Sequence, residues 1–151
     1  MKALFTFILL LTSFSAFGQD TENWFAELKA IPDKADQLTF IKQRIVEDTV
    51  FRGEKPRIVI ASHMVVEPEP LFVLIYDRSM HILDYKTQST KALFQFLTTE
   101  NIEKITVLRG DDAIALFGTR GKYGVVLLEN QSPKFKRLVK RIIKEHEKQT
   151  R

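Results

Sequence analysis

Three histidines, no cysteine and a few paired charges are what this 151-residue chain could do chemistry with. Without cysteine there are no disulfides, no thiol nucleophile, no lipid-modified cysteine and no Cys-based metal site. His63, His81 and His146 fall on three separate elements. His81-x-x-Asp84 could meet a metal on a turn, but a surface polar pair accounts for it more simply. No His–Glu pair has the helical spacing of a zinc site, and no hydroxyl residue sits in a Gly-x-Ser-x-Gly turn. Gly118-x-x-Gly121-Lys122 partly spells a phosphate-cradling loop. The earlier glycine such a loop needs is Leu116 here, and Tyr123 stands where Ser or Thr belongs. The glycines are therefore read as turn-formers. Arg109-Gly110-Asp111 spells an adhesion tripeptide, yet its Arg would end a strand and its Asp would start a helix. Asp111 or Asp112 can cap that helix, and both suit the positive end of its dipole. No catalytic residue, no metal ligand and no cofactor is assigned.

The elements that hold these residues centre on Ile105 to Leu128. Ile105-Thr106-Val107-Leu108 and Val125-Val126-Leu127-Leu128 are aliphatic and β-branched, as strands are. Between them Ala113 to Phe117 can form a short helix, with Gly110 before it and Gly118, Gly121 and Gly124 after it. A crossover of this length predicts two parallel neighbouring strands joined in the right-handed sense.

Upstream, Glu22–Ile31 predicts a helix with Trp24, Phe25, Leu28 and Ile31 on its apolar side, broken at Pro32-Asp33. Ala35–Phe51 predicts a second, faced by Leu38, Ile41 and Ile45. Arg57–Ala61 reads as a strand, and His63–Pro70 as a loop or edge. Leu71–Tyr76 and Met80–Leu83 read as a hairpin through Asp77-Arg78-Ser79. Thr87–Leu97 predicts a helix capped by Ser89 or Thr90. Ser132-Pro133 opens a last helix, 133–148, with Phe135, Leu138, Val139, Ile142 and Ile143 on one side and cations on the other. The fold class expected is α+β: a single domain with a four- to five-stranded mixed sheet, two N-terminal helices and one C-terminal helix. The sheet-containing core spans 57–129 of a domain covering 19–151.

The run Ile105–Gly110, Ala113, Ala115–Gly118, Arg120-Gly121, Gly124–Val126 resembles the end of the plug domain of TonB-dependent outer-membrane receptors. It is closest to glycan-importing receptors and to small standalone plug-like proteins. Arg109 stands for the family's Lys, Phe117 for its Tyr and Tyr123 for its Asn; its closing threonines are replaced by Leu127–Asn130. Pro70–Asp77 is a weaker upstream match, with Arg78 where the family has Gly. In a full receptor this domain sits inside a β-barrel and gates substrate. The barrel needs many more strands than this chain supplies, so transport by this chain alone is not expected.

Met1–Gly18 reads as a secretory signal peptide: Lys2, an apolar run from Leu4 to Leu11, then Ala16-Phe17-Gly18. Export to the periplasm or the outer-membrane periphery is expected, with nucleic acid excluded as a partner by that location. Residues 133–151 carry eight basic and two acidic residues. That basic tail suggests weak anionic membrane contact through the C-terminal helix. The function expected is a non-enzymatic binding module that contacts an envelope protein partner or a carbohydrate or peptide ligand. Its surface would be Arg109 with Thr119, Arg120, Gly121, Lys122 and Tyr123. For an anionic ligand, Arg120, Lys122 and the amides near Asp112 would donate. The alternatives are a peripheral membrane protein held by the C-terminal helix and a small hydrolase using His63 or His81 as base.

Overall fold

The computed structural model describes residues 16–54 and 69–147, with side chains described for 21–47 and 69–146. Over these residues it is an α+β domain of five helices and one four-stranded mixed sheet. The expected strand at 57–61, the loop start at His63 and most of the signal peptide lie outside the described residues.

Helix α1 spans Ala16–Ala30 and α2 spans Lys34–Glu54. α1 starts six residues before the predicted position, because no proline intervenes and Gly18 only weakens a helix. The predicted break at Pro32-Asp33 is the α1–α2 joint. There Asp33 caps α2 by accepting from the Ala35 N–H at 2.7 Å, and Gln37 donates to the Ile31 carbonyl at 2.8 Å.

Strands β1 (Leu71–Tyr76) and β2 (Ser79–Ile82) form the predicted hairpin. Asp77 turns it with φ 58°, the left-handed value that Asp tolerates better than bulkier residues. Helix α3 covers Gln88–Phe94, and its cap is Thr87 rather than Ser89 or Thr90: the Thr87 Oγ1 accepts from the Thr90 N–H at 3.3 Å. Thr90 is itself fully buried, with its hydroxyl 2.8 Å from that of Thr87. Beyond Phe94 the chain tightens into i→i−3 bonds at Phe96 and Leu97, so the helix ends short of the predicted Leu97.

Strands β3 (Lys104–Leu108) and β4 (Val125–Asn130) complete a sheet of order β2-β1-β4-β3. β4 runs parallel to β1, Leu71 beside Val125. It runs antiparallel to β3, Leu108 beside Val125. The parallel crossover expected between 105–108 and 125–128 is therefore corrected. Helix α4 (Gly110–Phe117) is too short to carry the chain back along the sheet, and the 3₁₀ turn Gly118–Gly121 folds against it. The chain re-enters the sheet beside the point where it left, and the second strand must run the other way.

Side chains alternate between the two faces of the sheet. Phe72, Leu74, Tyr76, Val126 and Leu128 point into the main core with Trp24, Phe25, Leu28, Ile41, Ile45, Leu93 and Leu97. Val73, Val125 and Leu127 point the other way, where Ala113 and Phe117 of α4 join them. Helix α5 (Pro133–Glu147) lays Phe135, Val139 and Ile142 into the main core as its spacing predicts. Each fully buried aliphatic here contributes about 1.5–3 kcal/mol. The buried Asn130 ties three pieces together: its side chain donates to the Asn101 carbonyl and accepts from the Ser132 N–H at the start of α5. Lys136 of α5 pairs with Asp77 of the hairpin turn, locking that turn to the helix.

Candidate functional site

The site is built where β3 ends and β4 begins. At the end of β3, Arg109 is extended (φ −143°, ψ 161°) and precedes α4 without a capping side-chain bond. Asp111 and Asp112 occupy the first helical turn, exposed, and neither caps it as expected. The reason is positional: α4 begins at Gly110, so both aspartates lie inside the helix, where a side chain cannot reach the N2 or N3 amide as a cap does.

The Arg109 guanidinium folds back toward α1. It pairs with the Glu22 carboxylate and lies 5.4 Å from the centre of the Phe25 ring. α4 ends at Gly118 (φ 60°, ψ −145°), whose N–H donates to the Ile114 carbonyl. The 3₁₀ turn then brings Gly121 against the backbone of Ala113. The Gly124 N–H donates to the Gly121 carbonyl at 2.9 Å, and the Gly124 carbonyl accepts from the Leu71 N–H at 2.9 Å. Gly124 has φ +95°, and a Cβ there would lie 2.6 Å from the Phe25 ring. Backbone and ring therefore meet where only glycine fits.

These contacts leave a cleft of about 550 Å³ lined by Arg109, Gly110, Lys122, Tyr123 and Gly124 on one side and by Thr21 and Glu22 of α1 on the other. The Lys122 ammonium lies 5.3 Å from the Tyr123 ring centre. The cleft thus offers two cations, one carboxylate, a phenol and a half-buried aromatic face. Such a set can hydrogen-bond a polar ligand, stack on it, and hold one negative group.

The structure brings Arg109, Lys122 and Tyr123 together, as the sequence leads one to expect, with Gly110 and Gly124 beside them. Thr119 and Arg120 are exposed on the 3₁₀ turn but do not line the cleft. Gly121 is buried against α4 and Gly118 closes that helix; both shape the loop and neither lines the cleft. Thr21 and Glu22 were not foreseen. They lie in α1, nearly ninety residues before Arg109 in sequence, and no local pattern links them to it.

His81 lies on β2 opposite Leu74, and His146 near the end of α5; neither lines the cleft. The Asp84 carboxylate accepts from the Lys86 N–H at 2.9 Å, a turn contact. Among the described residues no group of three or more His, Asp or Glu is placed to hold a metal, and no helix is long and apolar enough to cross a membrane. No family of proteins matches the chain, and no curated protein or solved structure is similar to it.

Proposed function

We propose that this chain is a non-enzymatic, exported binding module of the bacterial envelope. It contacts a protein partner, or a carbohydrate or peptide ligand, through the cleft at the β3–β4 end of the sheet. The observation that carries the reading is the meeting of Arg109, Lys122 and Tyr123 around one cleft, opposite Thr21 and Glu22. Loops at strand ends on a packed scaffold are where binding residues concentrate. The plug-like spelling of Ile105 to Val126 supports a binding role of the kind such domains have. The exposed Thr119 and Arg120 extend the surface at its rim.

The test is recovery of a partner from envelope extract on immobilised protein. Wild type is compared with Lys122→Glu/Tyr123→Ala and with Arg120→Glu. The double variant should lose the partner, and the rim variant should weaken recovery only partly. Equal recovery by wild type and the double variant would remove the cleft as the binding surface.

A further inference from the structure

We propose that α5 is an electrostatic docking strip for a bilayer carrying anionic headgroups, formed by Lys134, Arg137, Lys140, Arg141 and Lys144. The inference does not rest on the cleft. With 3.6 residues per turn, these five positions fall within about 120° of the helix circumference and run about 15 Å along its axis. All five are exposed. The opposite side carries Phe135, Val139 and Ile142, at 3 %, 0 % and 7 % exposure.

None of the five forms an ion pair with a described residue. Arg137 reaches only the Pro133 carbonyl, at 3.4 Å. Lys136 is different: it lies off the strip and is tied to Asp77. The one described carboxylate of α5 on the solvent side is Glu145, at the margin of the strip. The strip is therefore a nearly uncompensated field of positive charge.

Two observations favour a lipid surface as the occupant. The cations stand exposed along one helix, and no described aromatic ring lies against any of them. Proteins that hold a polyanionic strand use a groove with stacking platforms. The apolar side of α5 is also already used in the domain core. The helix cannot roll that side into the acyl region without unfolding the domain, as a free amphipathic helix would. Attachment is then by charge alone, gaining about fivefold in partitioning per cation and falling off within a Debye length.

Co-sedimentation of the full chain with vesicles tests this. Equimolar phosphatidylcholine and phosphatidylglycerol vesicles should bind it, and pure phosphatidylcholine vesicles should not. Raising salt from about 0.1 M to about 1 M, where the Debye length drops from about 10 Å to about 3 Å, should release it. Lys140→Glu/Arg141→Glu changes the strip by four charges and should cut partitioning more than a hundredfold at about fivefold per charge. Both positions are exposed, so an unchanged thermal melt shows that the variant still folds. Three results would overturn the proposal: no sedimentation with the anionic vesicles, binding that survives high salt, or equal binding by the folded double variant. Capture of soluble heparin without vesicle binding would assign the strip to a polyanionic polymer instead and would equally overturn it.

Discussion

Gly121 and Ala113 meet backbone to backbone. A Cβ on Gly121 would lie 2.3 Å from the Ala113 carbonyl oxygen and 2.7 Å from its carbon. Those atoms belong to the α4 backbone and cannot rotate aside. This contact folds the 3₁₀ turn onto α4 and sets the direction in which the chain re-enters the sheet.

Gly121→Ala should therefore destabilise the domain by about 1–3 kcal/mol, the usual cost of overpacking. A urea titration reads this as a lower midpoint with an unchanged slope. The same variant should recover less partner than wild type, because the turn positions Lys122 and Tyr123. A midpoint equal to wild type would show that α4 yields without cost.

Trp24 is the only tryptophan in the chain and is 6 % exposed. It stacks on Phe40 of α2, with ring centres 5.3 Å apart and planes 9° apart, and meets Phe25 and Phe72 edge-on. It thus joins both N-terminal helices to β1. Its fluorescence should shift to the red in one transition coincident with loss of helix signal by circular dichroism. Trp24→Ala should cost about 3–5 kcal/mol. A native spectrum already at the position of exposed tryptophan would contradict this packing.

Asp77 is held below its ordinary value of 3.8, first by the hydrogen bond from Lys136; desolvation opposes this as the next largest effect, and the charge of Lys136, the Arg78 backbone N–H and the charge of Arg78 add smaller lowering contributions. A depressed carboxylate contributes stability above its unfolded value, and that contribution is lost as pH falls through the folded value. Asp77→Asn keeps a residue that tolerates the positive φ and removes only the charge. The variant should be less stable than wild type at pH 7, with the gap closing below pH 3.8. A gap of equal size at pH 7 and at about pH 2 would assign the effect to the turn rather than to the ion pair.

Arg109 spans two interactions: the Glu22 carboxylate and the Phe25 ring. The pair with Glu22 is largely solvated, the Glu22 side chain being 65 % exposed. A double-mutant cycle of Arg109→Ala and Glu22→Ala should give a coupling of about 0.2–1 kcal/mol, smaller at high salt. Arg109→Ala alone should cost more than Glu22→Ala, because it also loses the contact over Phe25. Equal single costs would place no value on that ring.

Local patterns in the sequence were enough for the elements that signal themselves locally. The spacing of Phe135, Val139 and Ile142 marked the buried side of α5, and Ser132-Pro133 marked its start. The Asp77 turn was legible from the apolar runs on either side of it. Strand direction was not. A helix between two strands suggests a crossover, and only the packing of Gly121 on Ala113 makes it a closed excursion instead. The α4 start was misread for a similar reason, since Gly110 rather than an aspartate opens it. In the site, Arg109, Lys122 and Tyr123 were legible because they flank the glycines. Thr21 and Glu22 were not, because their place depends on how α1 crosses the sheet.

The pairing of β1 with β4 has a consequence for how the chain reaches this shape. Each outer strand joins its neighbour through a nearby stretch of chain: β2 across two residues, β3 across one short excursion. The central seam joins Leu71 to Val125 and closes the longest loop of the sheet. Val73 against Leu127 lies in that seam, so among the strand pairings of this sheet the β1–β4 pairing carries the largest loop-closure entropy.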